Sequence, residues 1–299
     1  MLLAASYFDG SVNLQLVVGG LALGAVYALV ALGFVLVFKA TDVLNLAHGE
    51  FLMLGGYFAV TFVATYSLGF LVSLAAIVVI MAALGLILHY GVMRPMVGQP
   101  FFGIVLATIG IATVVRALVL IFYGPAERPR LHSLPDDTFR LGQATIKMVD
   151  LIILGAVGVL VVIFLIFFKY SRLGLHMRAV ADNLEAAAAM GINTDAVYAM
   201  TWAVALAMAG VGGLLFAHVT FVTQTLPIIG LRAFPAAILG GLTSLGGAII
   251  GGLIVGVLEQ LAAGHLGTKW REPAAFSIMF LVLIFKPTGL FGAKGAERI

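Results

Sequence analysis

Hydrophobic positions run along this chain in long uninterrupted stretches, and a short polar segment separates the first two. Residues 14–38 carry no charge, and neither do residues 51–93. A membrane-spanning helix needs about 20 consecutive apolar residues. The first stretch therefore predicts one spanning helix. The second is too long for one helix and predicts two, divided near residues 67–69.

The same pattern continues to the end of the chain. Paired glycines interrupt the stretch 231–261, which predicts a short or broken helix followed by a long one. We expect an all-α polytopic membrane protein, a single domain over residues 1–299, with about eight or nine transmembrane helices. Further apolar stretches that predict single spans are residues 101–122, 148–168, 197–219 and 274–285.

Composition agrees with this class. Of the 299 residues, 63% are hydrophobic and 10% are charged, whereas soluble domains carry about 25% charged residues. The net charge of +3 is too small and too scattered for nucleic-acid binding. The chain has no cysteine, which excludes disulfides and thiolate metal sites. We expect no metal site and assign no catalytic residue.

Basic residues between the spans predict the orientation, because cytoplasmic loops are enriched in Lys and Arg. The segment 169–195 is placed in the cytoplasm by Lys169, Arg172 and Arg178, and the C-terminal end is placed there by Lys286, Lys294 and Arg298. The polar loop at about 123–147 then lies outside, with a short hairpin predicted at 138–146, and the N-terminus is extracytoplasmic. Four basic residues in that loop weaken this assignment.

Glycines at a spacing of four residues favour close packing between membrane helices. Three such pairs occur in the predicted spans, and we expect them at helix contacts: Gly20 with Gly24, Gly247 with Gly251, and Gly252 with Gly256.

The polar segment after the first span contains Asn45, His48, Gly49 and Glu50. One interpretation is a solvated cytoplasmic turn. The other is a helix break inside the bundle, where the start of a half-helix faces a cavity and receives an anionic group such as an amino-acid carboxylate. In that case Asn45 is a reasonable N-cap. A solitary buried carboxylate is costly, so we expect Glu50 to meet an ammonium group or to pair with Lys39. Arg116, late in its span, is expected to reach the headgroups.

The cytoplasmic segment 169–195 contains a run of helix formers that ends at Gly191. It predicts one or two short helices outside the bilayer. Either these form an amphipathic connector, or they dock a soluble partner. Docking is favoured by small side chains, which allow close approach, and by complementary charges on Arg178, Asp182 and Glu185.

Three segments resemble one family in the expected order. The stretch VLNLAHGEFLMLGGYFA (43–59) resembles the opening signature of permeases of the ABC-type branched-chain amino acid uptake system, of the LivH type. The stretch RAVADNLEAAAAMGIN (178–193) resembles the coupling segment of ABC importer permeases. The glycine-rich stretch 230–259 is similar to the C-terminal signature of the same family. Segment 264–273 matches no pattern of the family.

The resemblance implies a bacterial inner-membrane permease subunit that imports branched-chain or related hydrophobic amino acids. It implies as partners a second related permease, two cytoplasmic ATPase subunits and an extracytoplasmic substrate-binding protein. The chain itself binds no cofactor, because the phosphate-loop motif is absent from its sequence and ATP is used by the partners. The implied contacts with the ATPase are Arg178, Asp182, Glu185, Ala186, Ala187 and Gly191. The half-helix interpretation assigns four residues to the substrate path: Asn45, His48, Gly49 and Glu50.

Three rival functions stay open at this point. The first is an ABC permease for urea, short amides or other small solutes. The second is a proton-coupled secondary transporter that uses His48 and Glu50 as a relay, although the sequence shows no convincing inverted repeat. The third is a membrane scaffold without transport activity.

Overall fold

The computed structural model describes residues 10–135, 137–141 and 144–292, and the regular elements of this part of the chain are helices, one hairpin and an isolated bridge between Arg128 and Val222. The strands β1 (Thr138–Leu141) and β2 (Ala144–Lys147) pair antiparallel. The helices are α1 (Gly10–Thr41), α2 (His48–Ala59), α3 (Phe70–Leu88), α4 (Phe101–Tyr123), α5 (Met148–Tyr170), α6 (Arg172–Asp182), α7 (Leu184–Ala189), α8 (Thr194–Phe216), α9 (Leu226–Gly240), α10 (Leu245–Leu266) and α11 (Arg271–Phe285).

Several helices continue in tighter or wider turns. A π-helical turn, Val60–Thr65, extends α2, and α3 continues through His89–Met93 and the 3₁₀ turn Arg94–Met96. Six helices of the described part are long and apolar enough to cross a membrane: Val12–Thr41, Phe70–Met96, Phe101–Tyr123, Met148–Tyr170, Thr194–Phe216 and Leu245–Leu266. A multi-pass helical membrane protein is thus confirmed, and α2, α9 and α11 are shorter.

Two predicted boundaries near the C-terminus are wrong. Helix α9 begins at Leu226 rather than near residue 231, because Pro227 sits in its first turn, where a missing N–H costs nothing. Helix α11 begins at Arg271 rather than at residue 274, since the charged side chains of its first turn find partners on neighbouring helices. Lys294 and Arg298, used for the orientation, lie outside the described residues.

The centre of the bundle is formed by α1 and α8. Val30, Ala31 and Leu32 of α1 and Ala205 and Leu206 of α8 are fully buried. Helices α3, α4 and α5 are peripheral and expose large apolar side chains over most of their surface. Such a surface is stable only against hydrocarbon or another apolar subunit.

Small residues set the distance between α1 and α10. A Cβ added to Gly252 would lie 2.4 Å from the backbone nitrogen of Ala28, and one added to Gly256 would lie 2.3 Å from Cα of Gly24. Gly20 faces the backbone of Val257 in the same way. The other predicted pair faces α9 instead: added Cβ atoms on Gly247 and Gly251 would lie 2.2 and 2.1 Å from the carbonyl oxygens of Gly240 and Ala236.

The loops at one end of the bundle are joined to each other. The backbone N–H of Arg128 donates to the carbonyl of Val222, and that of Leu131 donates to Ala217. His218 Nε2 lies 2.8 Å from Ser133 Oγ, and burial lowers the pKa of this imidazole. The loop after α4 and the loop after α8 therefore form one layer, as expected if both lie on the same side of the membrane.

The opposite end is held by ionic contacts. His89 Nε2 lies 3.0 Å from Asp195 Oδ1, and Arg94 Nε lies 3.4 Å from the same oxygen. These contacts join the end of α3 to the start of α8. His89 thus has a structural partner, as does His265, whose Nε2 lies 2.8 Å from Asn13 Oδ1 near the other end.

Replacing Gly252 with Ala tests the close approach of α1 and α10. The new methyl group collides with the backbone of α1, so the helices must separate. We expect the free energy of unfolding to fall by about 1–3 kcal/mol, as overpacking typically costs. The measurement is the melting temperature of the purified protein in detergent. Gly155→Ala in α5 is the control, because a Cβ there meets nothing within 4 Å; equal destabilisation by both variants contradicts the prediction.

Candidate functional site

The polar segment between α1 and α2 turns back into the bundle. Helix α1 ends at Thr41, yet the ring of His48 lies 4.5 Å from that of Phe34 and next to Gly33. Gly33 lies about 12 Å before the end of α1, at 1.5 Å per residue. The chain therefore retraces part of α1 before α2 begins, and α2 starts at depth.

Burial decides between the two interpretations of this segment. Asn45, His48 and Glu50 are exposed by 1%, 0% and 4%. A solvated turn would leave these side chains accessible to water. The segment is instead a break between helices inside the bundle. We call these residues, 42–50, the polar break.

Glu50 pairs with Arg116. The carboxylate oxygen Oε1 lies 2.5 Å from Nη2 of Arg116 on α4. Two expectations are corrected here: Glu50 is not paired with Lys39, and Arg116 does not extend to the headgroups. The long side chain of Arg116 extends along the bundle towards the start of α2 and reaches the carboxylate of Glu50. This contact avoids an isolated charge inside the membrane.

Asn45 does not cap α2. The N-cap position is Ala47, which has no side-chain cap bond, and Asn45 Oδ1 accepts a hydrogen bond from the Ala47 N–H at 3.1 Å. Thr108 of α4 supports the break from the other side: its Oγ1 accepts from the Leu46 N–H at 3.3 Å. Asn45 thus shapes the turn before α2, and the helix begins two residues later than predicted.

Several buried polar atoms of the polar break are unused. Among the described residues, no hydrogen-bond partner is present for Asn45 Nδ2, and neither ring nitrogen of His48 makes a well-formed hydrogen bond, although the ring lies near the backbone of Val30. Buried polar atoms without partners are rare, and each costs about 1–3 kcal/mol. They mark the break as a place where a polar solute or water finds partners.

Gly49 has a different role from its neighbours. A Cβ there would lie 2.5 Å from the carbonyl oxygen of Pro227, and one on Gly230 would lie 2.4 Å from Cα of Gly49. The backbones of α2 and α9 touch at this point. Gly49 therefore permits the crossing of two short helices.

A second buried polar cluster joins four helices. Tyr27 of α1 donates a 2.8 Å hydrogen bond to Glu259 Oε2 of α10. Arg232 of α9 forms an ion pair with Glu272 of α11, and Arg271 donates to Gln260 Oε1 at 2.8 Å. Sequence analysis missed this cluster, although charges at the edges of neighbouring spans were a visible signal.

The segment after α5 forms two short helices, α6 and α7, as predicted. Ser171 and Asn183 cap them through side-chain oxygens. Arg178 donates to the carbonyl oxygens of Phe168 and Lys169 and so fixes α6 to the end of α5. Gly191, with φ +82°, ends α7 in the left-handed conformation.

The tip of this segment faces solvent. Asp182, Glu185 and Ala186 are exposed, whereas Ala187 is buried against the protein. Leu184 and Met190, which the sequence did not single out, are 45% and 83% exposed. The tip, residues 182–191, combines short side chains with two exposed apolar ones.

Neither region holds a metal-binding arrangement. Across residues 10–135, 137–141 and 144–292, no three His, Asp or Glu side chains lie close enough together to share an ion. The chemistry of the polar break is that of hydrogen bonds and one ion pair.

A multi-pass helical bundle with charged side chains held in its interior is typical of membrane transport proteins. Comparison with known proteins makes this class specific. The family described as branched-chain amino acid transport system / permease component matches residues 16–286. The chain belongs to this family.

Curated relatives agree over nearly the whole chain. The high-affinity branched-chain amino acid transport system permease protein LivH of Escherichia coli K12 is 33% identical over 96% of this chain and 97% of that protein. The permease protein BraD of Pseudomonas aeruginosa is 32% identical over 96% and 98%. The autoinducer 2 import system permease protein LsrC of Photorhabdus luminescens is 27% identical over 60% and 56%. No solved structure matches the chain.

Tyr27→Phe tests the second polar cluster. The change removes the hydroxyl that donates to Glu259 and leaves a fully buried carboxyl group without that partner. We expect the free energy of unfolding to fall by about 1–3 kcal/mol, measured as a lower melting temperature in detergent. Tyr66→Phe, at an exposed turn, is the matched control. A Tyr27→Phe protein as stable as this control would show that the contact contributes nothing.

Proposed function

We propose that the chain is a transmembrane permease subunit of an ATP-driven ABC importer for branched-chain or related hydrophobic amino acids, in the bacterial inner membrane. The observation that carries this proposal is the match to branched-chain amino acid permeases along 96% of the chain. A buried polar break and an exposed pair of short helices in the same bundle support it. The chain is a transport subunit rather than an enzyme.

The proposed topology has nine crossings. The six long helices supply six, and α2 with its π-helical turn, α9 and α11 supply three shorter ones. This count agrees with the contacts between loops. The loops after α4 and α8 lie at one end of the bundle, and the C-terminal end of α3 and the start of α8 lie at the other. It places the N-terminal end of α1 outside and the tip, residues 182–191, in the cytoplasm.

The proposed assembly contains a second related permease, two cytoplasmic ATPase subunits and an extracytoplasmic substrate-binding protein. No cofactor is bound by this chain, and ATP is hydrolysed by the partner subunits. The tip is the proposed contact with an ATPase subunit. Its short side chains permit close approach, and Leu184 and Met190 supply apolar contact area.

The same contact suggests how ATP hydrolysis moves the bundle. Arg178 joins α6 to the end of α5, and the segment after Gly191 leads directly into α8. A push on the tip therefore reaches a peripheral helix and a central one together. Within the proposed coupling set, Arg178 and Ala187 transmit this force, while Asp182, Glu185, Ala186 and Gly191 form the contact surface.

Reconstitution tests the proposed function. The permease pair, ATPase subunits and binding protein are placed in proteoliposomes, and leucine uptake is followed with and without ATP. We expect uptake to require ATP and the binding protein. Uptake driven by a proton gradient alone would support the secondary-transporter alternative. ATP-dependent uptake of urea or short amides, without leucine uptake, would redirect the cargo assignment.

New charges at the tip test coupling. Glu185→Arg and Met190→Asp alter exposed positions, so membrane insertion is expected to remain normal. Loss of a complementary contact at the centre of an interface typically costs 2 kcal/mol or more. We therefore expect roughly tenfold or greater loss of ATP-driven uptake, measured together with co-purification of the ATPase subunits.

Glu127→Arg is the matched control for the tip variants. It makes the same charge change at an exposed position in the loop after α4, at the other end of the bundle. Co-purification with the ATPase subunits is expected to be unchanged. Normal uptake by both tip variants would favour the alternative of a simple connector.

A further inference from the structure

Arg116 occupies an unusual position for a charged residue. Its side chain is 55% exposed, whereas that of its partner Glu50 is 5% exposed. Around it, α4 exposes apolar side chains such as Val114 and Leu118. A guanidinium group cannot face hydrocarbon at this depth without large cost. Its open side must therefore face a water-filled cavity or another subunit.

The depth of the pair follows from helix geometry. Thr61 Oγ1 lies 2.8 Å from Tyr123 Oη, which places the start of the α2 extension near the end of α4. Glu50 lies about 16 Å below this level, at 1.5 Å per residue. The hydrocarbon core is about 30 Å thick, so the ion pair lies near its middle.

The pair is built to exchange partners. Within the described part of the chain, Glu50 is the only ion-pair partner of Arg116, and it engages one guanidinium nitrogen. The planar guanidinium group has five N–H donors and matches a carboxylate with two parallel bonds. A second carboxylate therefore finds free donors on the exposed side of Arg116.

An amino acid carries the two groups that this pair lacks. Its carboxylate complements Arg116, and its ammonium group complements Glu50. When a zwitterion binds between them, one ion pair becomes two and the net charge of the site stays zero. The cost of placing a net charge in a low-dielectric environment is thereby avoided.

The surroundings suit the rest of such a solute. Leu54 and Phe58 follow Glu50 at intervals of four residues on α2, so they lie on the same face, and both are half-buried. They offer an apolar surface next to the charged pair. On the other side, the unpartnered atoms of Asn45 and His48 continue the polar break.

We propose that Glu50 and Arg116 form a zwitterion site in the transport path, where Arg116 binds the carboxylate of the cargo and Glu50 binds its ammonium group. This inference rests on the proposed function, because it requires an amino acid as cargo. It assigns to Arg116 a role in recognising the cargo. A neutral cargo such as urea has no charged groups that this ion pair could bind.

The test uses the complete importer in proteoliposomes. Arg116→Gln, Glu50→Gln and the exchanged pair Glu50→Arg with Arg116→Glu are compared with the unchanged protein. Leucine uptake, ATP hydrolysis stimulated by the loaded binding protein, and co-purification of the second permease are measured. Arg94→Gln is the matched control, because Arg94 also pairs with a carboxylate but lies at the end of α3.

We expect the single variants to assemble, to retain ATP hydrolysis and to lose leucine uptake by roughly tenfold or more, as loss of a charged partner in a buried site predicts. The exchanged pair also assembles but does not regain uptake, because the two charges now stand in the wrong order for the cargo. Arg94→Gln retains uptake.

Three results overturn the proposal. Normal uptake by Arg116→Gln shows that the cargo does not need the guanidinium group. Restored uptake in the exchanged pair shows that the contact is only structural. Loss of the second permease from Arg116→Gln preparations shows that Arg116 belongs to the subunit interface. If Arg116→Gln does not fold, Arg116→Lys decides, since it keeps the charge and loses the planar fork; full uptake by Arg116→Lys overturns the proposal.

The outcome is separable from that of the proposed function. If the unchanged importer shows no ATP-driven leucine uptake, the proposed function fails. If the unchanged importer transports leucine and the variants do as well, only the zwitterion site fails.

Discussion

A charge inside the hydrocarbon core must find a partner within the protein, and this constraint arranges the bundle. Inside the bundle, Glu50 of α2 meets Arg116 of α4, and at the start of α11 the half-exposed Glu272 meets the mostly buried Arg232 of α9. Each contact joins two helices that are not consecutive in the chain. Helix α4 exposes most of its surface, so its polar contacts with α2 and the polar break hold it in place. Breaking one such pair leaves an uncompensated buried charge, which costs far more than the pair contributes.

Close packing makes the polar break possible. A helix that begins in the middle of a membrane leaves backbone groups without intrahelical partners. Gly49 and Gly230 let α9 approach this point until the backbones touch, and Thr108 of α4 accepts a hydrogen bond from the backbone N–H of Leu46. Irregular backbone is thus surrounded by protein instead of lipid. The glycines of α1 and α10 likewise have no side chain, so the backbones of these two helices pack directly against each other.

The two proposed sites are linked by continuous helices. The tip lies between α5 and α8. The backbone of Ala205 on α8 packs against Gly33 of α1, which also lies next to His48 of the polar break. In the proposed coupling, displacement of the tip therefore moves α8, which lies against the region where α2 begins. Arg178 fixes α6 to the end of α5. In the proposed coupling, its replacement therefore loosens this connection and also removes a positive charge.

The sequence alone determined the class of protein, most of the spans and the family resemblance, because these depend on apolar length and on local motifs. The hairpin, the two short helices α6 and α7 and the left-handed Gly191 were likewise readable, since short-range turn chemistry governs them. The partners of Glu50, Arg116, Tyr27 and Arg232 were decided only by the tertiary structure. Each partner comes from another helix, and a hydropathy pattern carries no information on which helices adjoin. For the same reason, only the fold showed that the polar break lies at depth. A polar segment between two apolar stretches has the same composition whether it forms a solvated turn or folds back along α1.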